Sequence, residues 1–363
     1  MDKFSFKHIF FLICSVAIAS FKTYPEIFIN VSGRDSWICT IIASLIAIAY
    51  FDYIINICVK NNCYSIVKIF TTAFGNIFGK VFLWIFIFGL TLSLFECASI
   101  ESDVIHTNLF LESPTWYILL FIVIPALYVV KNGRYSLMIV IMICIIISIF
   151  NGINLSILTE HFKDYRMLFP VFKYGVNSDF LICIIKIIGL YSSISIVLPY
   201  LSQLKSSKSI RKYALFSNLF VVQMIIVATI GVIATFNVKR LNDLVYPKIV
   251  ECQLISYFGF IANGEFYVIF QVISSWFAKY ITSLFAILLL MKELKFKKLF
   301  KSKVFLIVIS FIVYISSYLI SKNLITLFKF LNIYIYLCIV IYFIIPILAF
   351  TIFNIRNKKN CNF

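Results

Sequence analysis

Long apolar stretches without charge recur along this chain and alternate with short polar segments. Ser136–Phe150 and Phe305–Ile320 contain no charged residue at all. About 20 apolar residues in a helix cross the roughly 30 Å hydrocarbon core of a bilayer. Membrane strands would alternate apolar and polar residues instead, and the sequence lacks that pattern. The pattern predicts about ten transmembrane helices, roughly at residues 8–29, 36–57, 79–103, 115–131, 136–158, 179–202, 213–237, 262–291, 304–321 and 329–354.

The composition supports an integral membrane protein. Of the 363 residues, 62% are hydrophobic and 13% are charged, whereas a soluble domain usually carries about 25% charged residues. The segments between the apolar stretches are short, and none is a linker rich in Pro, Gly and Ser. We therefore expect residues 1–363 to form a single all-α, polytopic membrane domain.

The net charge of +17 does not indicate a nucleic-acid partner, because no basic stripe is interleaved with aromatic residues. Lys and Arg lie mostly between the apolar stretches. On one side, the N-terminus, residues 58–80, 131–135, 203–212 and 292–303 and the C-terminus hold 20 of them, against nine in the opposite loops. Cytoplasmic loops are enriched in positive residues. Both termini are therefore expected in the cytoplasm, in agreement with an even number of helices.

Neither a catalytic pattern nor a metal-ligating pattern is present. His8, His106 and His161 lie at predicted membrane edges or in loops, and there is no Gly-rich phosphate loop or nucleophile elbow. Six of the ten cysteines lie within apolar stretches, where cysteine behaves as a small hydrophobic residue. The sequence has no C-x-x-C motif. We expect no enzyme activity, no metal and no cofactor.

The first apolar stretch is interrupted in its second half by Ser20, Lys22, Thr23, Pro25 and Glu26. Proline lacks a backbone donor and disfavours helix at the residue before it. Many transporters have a broken helix that exposes backbone groups to a substrate near the membrane midplane. The alternative is a simple proline kink with Lys22 reaching outward to the membrane surface.

The third helix carries Glu96, Ser99 and Asp103 at a spacing that places them on one face. Glu96 lies deepest. An ionisable group at membrane depth is costly and usually faces the bundle interior, so we expect Glu96 there. Glu101 and Asp103 fit the water-exposed end of the helix.

The other polar positions of the membrane region lie on helices 6 and 8. Hydroxyl groups at this depth can bind backbone carbonyls or a ligand, and small residues also permit close helix packing. For helix 6, ligand binding and close packing both stay open. For helix 8, hydrogen bonding between helices without a ligand also stays open. One face of helix 6 carries Lys186, Gly189 and Ser193, with Ser192 beside them, and one face of helix 8 carries Gln271, Ser275 and Lys279.

Four short motifs follow one another along the chain: Gly33–Ile38 (GRDSWI) after helix 1, Phe169-Pro170 before helix 6, Tyr246-Pro247 before helix 8, and Glu265 with Trp276 eleven residues later. In this order, and with this length and helix count, the chain resembles the B subunit of bacterial spore germinant receptors. That family is a branch of the amino acid/polyamine/organocation (APC) transporter superfamily. The first motif is similar to the family's G-x-D-A-W-[IL]. Helix 1 departs from the superfamily in lacking a Gly-rich break.

The resemblance implies an APC/LeuT-like fold of two inverted five-helix repeats, with helices 1 and 6 crossing at the centre. A small germinant, typically an amino acid, would bind there. It also implies a complex in the spore inner membrane with a larger A subunit and a lipoprotein C subunit. The ligand-binding residues expected on this basis are Ser20, Thr23, Glu96, Gly189, Ser192, Ser193 and Ser275.

Three lysines are expected as interior charges: Lys22, Lys186 and Lys279. In the implied crossing of helices 1 and 6, Lys22 and Lys186 are the candidate partners of Glu96.

Three functions are compatible with these features: a ligand sensor in a germinant receptor, an amino-acid or polyamine symporter, and a structural membrane subunit without a ligand. A sensor and a symporter need the same central pocket, so the bundle does not separate them, and the ordered motifs favour the sensor.

Overall fold

The computed structural model describes residues 4–172, 175–205, 209–257, 261–262, 264–295 and 303–360. Lys3, Lys173, Lys208, Lys297, Lys298 and Lys301, which contribute to the charge count, lie outside these ranges, as does Cys361. Within them the chain is almost entirely helical. A two-residue strand, Ser256–Tyr257, pairs antiparallel with Ile261–Ala262.

In the described part of the chain, ten helical spans form the bundle, and the predicted all-α membrane fold is confirmed. Among the described residues, nine helical runs are long and apolar enough to cross a membrane, and the 17-residue helix Thr115–Lys131 is slightly shorter. One run, Glu26–Lys60, contains the end of one span and all of the next. We number the spans as Ile9–Thr23 with Glu26–Ser32 (1), Ser36–Lys60 (2), Asn76–Asn108 (3), Thr115–Lys131 (4), Arg134–Leu158 (5), Ser178–Leu201 (6), Ser209–Thr235 (7), Glu265–Glu293 (8), Lys303–Ser321 (9) and Leu324–Asn360 (10).

Two segments that the sequence analysis treats as short loops contain helices. Ile66–Phe74 joins spans 2 and 3. It begins at Ser65, whose hydroxyl accepts from the Lys68 amide, and it buries one face. Pro247–Gln253 precedes span 8 and begins with proline, which is favoured in the first turn because its missing donor is not needed there. Both are too short to cross a bilayer, and both bury several of their residues.

Both ends of the described chain lie at one end of the bundle, which we call the terminal face. The Phe4 carbonyl accepts from the Lys205 amide at 2.8 Å. Near the C-terminus, the Arg356 guanidinium donates to the Thr72 carbonyl at 2.9 Å. At the opposite face, the Arg34 guanidinium donates to the Phe169 carbonyl. The motifs that carry the family resemblance around residues 33 and 169 therefore meet each other.

Spans 1 and 6 run antiparallel beside each other. The Cys183 thiol contacts the Phe28 carbonyl near the opposite face, and the Ser193 hydroxyl donates to the Val16 carbonyl nearer the terminal face. Span 8 is deeply enclosed, with 89% of an 18-residue apolar stretch buried, against 28% in span 9. Large apolar side chains such as Phe121 and Phe311 face outward. That distribution suits lipid as the solvent.

Candidate functional site

Span 1 is broken at Tyr24 and Pro25. The first helical segment ends at Thr23, and Tyr24 has the non-helical angles φ −130° and ψ 56°. The second segment begins at Glu26 with Pro25 as its N-cap. The missing donor of proline and its clash with the preceding residue explain the break. The prediction of an interrupted first helix is confirmed.

A buried ion pair lies against this break. The Lys279 ammonium is 2.7 Å from Glu96 Oε2, and both side chains are at most 1% exposed. The Ser20 hydroxyl donates to Glu96 Oε1 at 2.8 Å and accepts from Lys279 at 2.8 Å. The Tyr24 hydroxyl also donates to Glu96 Oε1. Spans 1, 3 and 8 are thus joined by one charged cluster in which each member has a partner.

Trp276 extends the cluster along span 8. Its indole Nε1 donates to Thr23 Oγ1 at 2.9 Å, and its ring stacks on Tyr24 with centroids 6.0 Å apart. The Lys279 ammonium lies 5.2 Å from the centre of the same ring, a cation–π contact. Because Trp276 and Lys279 are three residues apart, they share a helix face. Neither Tyr24 nor the contact of Trp276 with Lys279 was predicted from the sequence as part of the site.

Neither lysine named as a candidate partner of Glu96 reaches it. Lys186 donates to the Ile27 carbonyl at 3.1 Å and to Asn332 Oδ1 at 2.9 Å. Lys22 lies on another side of span 1. The interior position of Glu96 is as expected, but its partner is Lys279. This pairing follows from the rotation of span 1, which turns Ser20 and Tyr24 toward span 3 and Lys22 away from it.

The predicted binding residues of span 6 are buried and bonded within the protein. The Ser192 hydroxyl donates to the Gly189 carbonyl at 2.6 Å, and the Ser193 hydroxyl donates to the Leu190 and Val16 carbonyls. A Cβ on Gly189 would lie 2.6 Å from the Ile335 carbonyl of span 10. Span 6 then continues as a 3-10 segment, Ser193–Val197. Ser193 thus faces span 1 and Gly189 faces span 10, and their role in ligand binding stays a prediction.

Ser275 and the acidic residues of span 3 complete the sequence-derived set. The Ser275 hydroxyl donates to the Val272 carbonyl at 3.1 Å. Glu101 and Asp103 were expected at a water-exposed helix end, and both are only 2% exposed. Asp103 accepts from the Tyr246 hydroxyl, because the segment before span 8 folds over this end of span 3. The tyrosine of the Tyr246-Pro247 motif is therefore a structural contact.

A cavity of about 450 Å³ lies at the opposite face of the bundle. It lies where the segment between spans 5 and 6 and the segment after span 7 meet the ends of spans 1 and 6. Its floor includes the turn between spans 1 and 2. Gly33 there has φ 57°, a conformation that favours glycine. Asp35 Oδ1 accepts from the Phe172 amide at 3.0 Å. The first two motifs of the sequence analysis thus form one wall of a vestibule above span 1.

Two solved structures share this fold. A Na⁺-coupled sialic acid symporter in a substrate-bound outward-open state aligns with a TM-score of 0.59 and 13% identity, over 86% of this chain and 72% of that one. MhsT in complex with L-phenylalanine aligns with a TM-score of 0.68 and 12% identity, over 97% and 99%. At these identities the likeness shows the fold alone. No curated protein sequence matches significantly.

With its broken first span and buried polar centre, the chain is a multi-pass membrane protein that has the APC/LeuT-like fold of these two structures, which confirms the predicted fold. The family model described as spore germination protein (Spore_permease) matches residues 3–315. The chain therefore belongs to the spore germination permease family.

Proposed function

We propose that this chain is the membrane subunit of a spore germinant receptor, which binds a small germinant in a central, transporter-like pocket and signals germination. The observation that carries the proposal is the buried pair Glu96–Lys279, bonded through Ser20 and Tyr24 to the break in span 1. A ligand at the break competes for these same groups. Its binding therefore changes the contacts that join spans 1, 3 and 8.

An amino acid suits this centre, because its ammonium complements Glu96 and its carboxylate complements Lys279. The hydroxyls of Ser20 and Thr23 on span 1 already bond protein groups. On the side of span 6, Ser193 bonds across to span 1. A germinant between these spans exchanges such bonds for its own, and the exchange supplies a two-state element for signalling.

The proposed setting is the spore inner membrane, with both termini in the cytoplasm. The proposed partners are a larger A subunit and a lipoprotein C subunit. The family match and the charge asymmetry of the loops support this arrangement. The terminal face of the bundle then points to the cytoplasm, and the vestibule above span 1 points outward, where a germinant arrives.

A working amino-acid symporter is the second candidate, favoured by the fold shared with a solved symporter and with MhsT in complex with L-phenylalanine. Uptake of labelled amino acids into proteoliposomes that contain the full chain separates the two. Binding without accumulation across the membrane supports a sensor. Accumulation driven by an ion gradient supports a symporter.

Glu96→Gln is expected to impair germination while the protein still accumulates. Gln has the size of Glu and keeps one oxygen acceptor, but it lacks the charge that complements an ammonium group. It also leaves Lys279 without a counter-charge, so some loss of stability accompanies the change. We expect the germinant concentration for half-maximal response to rise about tenfold or more, in line with a lost charge-assisted hydrogen bond. Dose–response curves of mutant spores measure this.

The matched control is Glu265→Gln. Glu265 is also an acidic residue of this bundle, but it lies at the end of span 8 and accepts from Gln253 at 2.9 Å. Its variant is expected to respond normally. Both strains must germinate with a trigger that bypasses receptors. A normal dose–response of Glu96→Gln at normal protein level refutes the role of Glu96.

The cytoplasmic position of the termini is expected to show in cysteine labelling. A membrane-impermeant maleimide should label Cys361 in inverted vesicles and not in intact protoplasts. Cys361→Ser provides the background from the other cysteines, most of which are buried in the described part of the chain. Labelling of Cys361 only in intact protoplasts contradicts the orientation and the ten-span topology.

A further inference from the structure

A second cavity, of about 260 Å³, lies between spans 1, 5, 7 and 8, and none of its lining residues belongs to span 6. Its rim is formed by Ile153 and Ile157 of span 5 and Val227 of span 7, each more than 40% exposed. These side chains lie on the lipid-facing surface of the bundle. The cavity therefore opens sideways, toward the bilayer, and is separate from the cluster around Glu96.

The ammonium of Lys22 lies at the inner end of this cavity. Lys22 is only 8% exposed, which rules out the outward-reaching side chain considered from the sequence. A Cβ on Gly152 would lie 2.9 Å from Lys22 Nζ and 2.5 Å from Gln271 Nε2. The absence of a side chain at Gly152 therefore leaves room for the Lys22 ammonium and the Gln271 amide.

Within the described residues, Lys22 has neither a hydrogen-bond acceptor nor an ion-pair partner. Lys248 also lines the cavity, but its ammonium pairs with Glu251 at 2.8 Å. No carboxylate lines the cavity. One N–H of the Gln271 amide donates to the Ser148 carbonyl at 3.0 Å, and its second N–H has no protein acceptor among these residues. The polar end of the cavity therefore offers donors and positive charge.

We propose that this cavity binds the carboxylate of a small molecule with an apolar body. The carboxylate accepts from the Lys22 ammonium and the second Gln271 N–H, and the apolar body contacts Ile149, Ile153 and Met224. A buried ammonium without a counter-charge is unfavourable, and a carboxylate there removes that penalty. The site goes beyond the proposed germinant pocket and does not depend on it.

The depth of Lys22 favours a small carboxylate over a phospholipid headgroup. Lys22 is 13 residues from Ile9, where the unbroken first segment of span 1 begins, which corresponds to about 20 Å of helix. That is about two-thirds of the roughly 30 Å hydrocarbon core. The phosphate of a phospholipid lies at the membrane surface, far from this position. The volume of about 260 Å³ also lies below the roughly 300–1,000 Å³ of pockets for drug-sized ligands.

Equilibrium binding of radiolabelled octanoate to the full chain in lipid nanodiscs tests the proposal. We expect saturable binding that unlabelled octanoate displaces and that octylamine or inorganic phosphate at the same concentration does not. Lys22→Met should weaken it about tenfold or more, as expected for a lost hydrogen bond to a charged group. The matched control Lys186→Met should keep wild-type affinity, because that lysine bonds Ile27 and Asn332 and lies outside the cavity.

Gly152→Ala is a second, independent variant. Its methyl group displaces the flexible ends of Lys22 and Gln271 rather than backbone, so the chain should fold and bind octanoate more weakly. Equal affinities of Lys22→Met and Lys186→Met overturn the proposal. So does displacement by octylamine, which indicates a neutral lysine in an apolar cavity, and so does displacement by phosphate, which indicates a site that needs no apolar body.

Discussion

Lys279→Met is expected to destabilise the protein by about 3–5 kcal/mol, the usual consequence of removing one partner of a buried ion pair. Methionine fills a similar volume, so packing around Trp276 is largely kept. Glu96 then remains as a buried carboxylate that accepts only from Ser20 and Tyr24. Thermal unfolding of the detergent-solubilised variant measures the loss.

The double variant Glu96→Gln/Lys279→Met is expected to recover most of that stability, because no buried charge remains uncompensated. The two single variants and the double variant form a cycle that yields the coupling energy of the pair. Lys186→Met is the control for loss of a half-buried lysine, since its acceptors at Ile27 and Asn332 are neutral. If the double variant is as unstable as Lys279→Met alone, the stability of the centre does not depend on the ion pair.

The same double variant separates folding from signalling. It lacks both charges that an amino acid would meet at the break in span 1. It should therefore accumulate in spores and fail to respond to germinant. A restored response together with restored stability places the germinant elsewhere.

The spans and the interior position of Glu96 were predictable because both depend on local properties. An apolar stretch of the right length crosses the bilayer whatever its neighbours are, and a carboxylate at that depth must face the interior. The partner of Glu96 depends on helix rotation. Ser20 and Tyr24 are four residues apart and share a face, whereas Lys22 is two residues, or about 200°, from each. That spacing already indicates that Ser20 and Lys22 face different sites.

The environment of Asp103 was not predictable in the same way. Its burial arises because the segment before span 8 folds back and places Tyr246 against it. Nothing in the local pattern around residue 103 encodes a contact with a residue so distant in sequence. Similarly, the helix Ile66–Phe74 is too short to be recognised by a search for apolar stretches that cross a membrane. Only the hydroxyl cap at Ser65 marks its start.

Gly189→Ala is expected to destabilise the protein by about 1–3 kcal/mol, as overpacking of a close helix contact does. Spans 6 and 10 approach so closely here that a Cβ would lie 2.6 Å from both the carbonyl oxygen and Cγ2 of Ile335. The backbone carbonyl cannot turn aside as a flexible side chain can, so one helix must shift. Thermal unfolding in detergent gives the magnitude.

Gly231→Ala is the matched control, since Gly231 is also a helical glycine within a span. The nearest atom to a Cβ there is Lys163 Cε at 3.5 Å, an ordinary contact, and alanine favours helix by up to about 1 kcal/mol. That variant should be as stable as the wild type or more so. A different outcome is that Gly189→Ala keeps full stability but needs more germinant. That outcome indicates that Gly189 lines the ligand pocket, as predicted from the sequence. It also indicates that spans 6 and 10 separate readily at this contact.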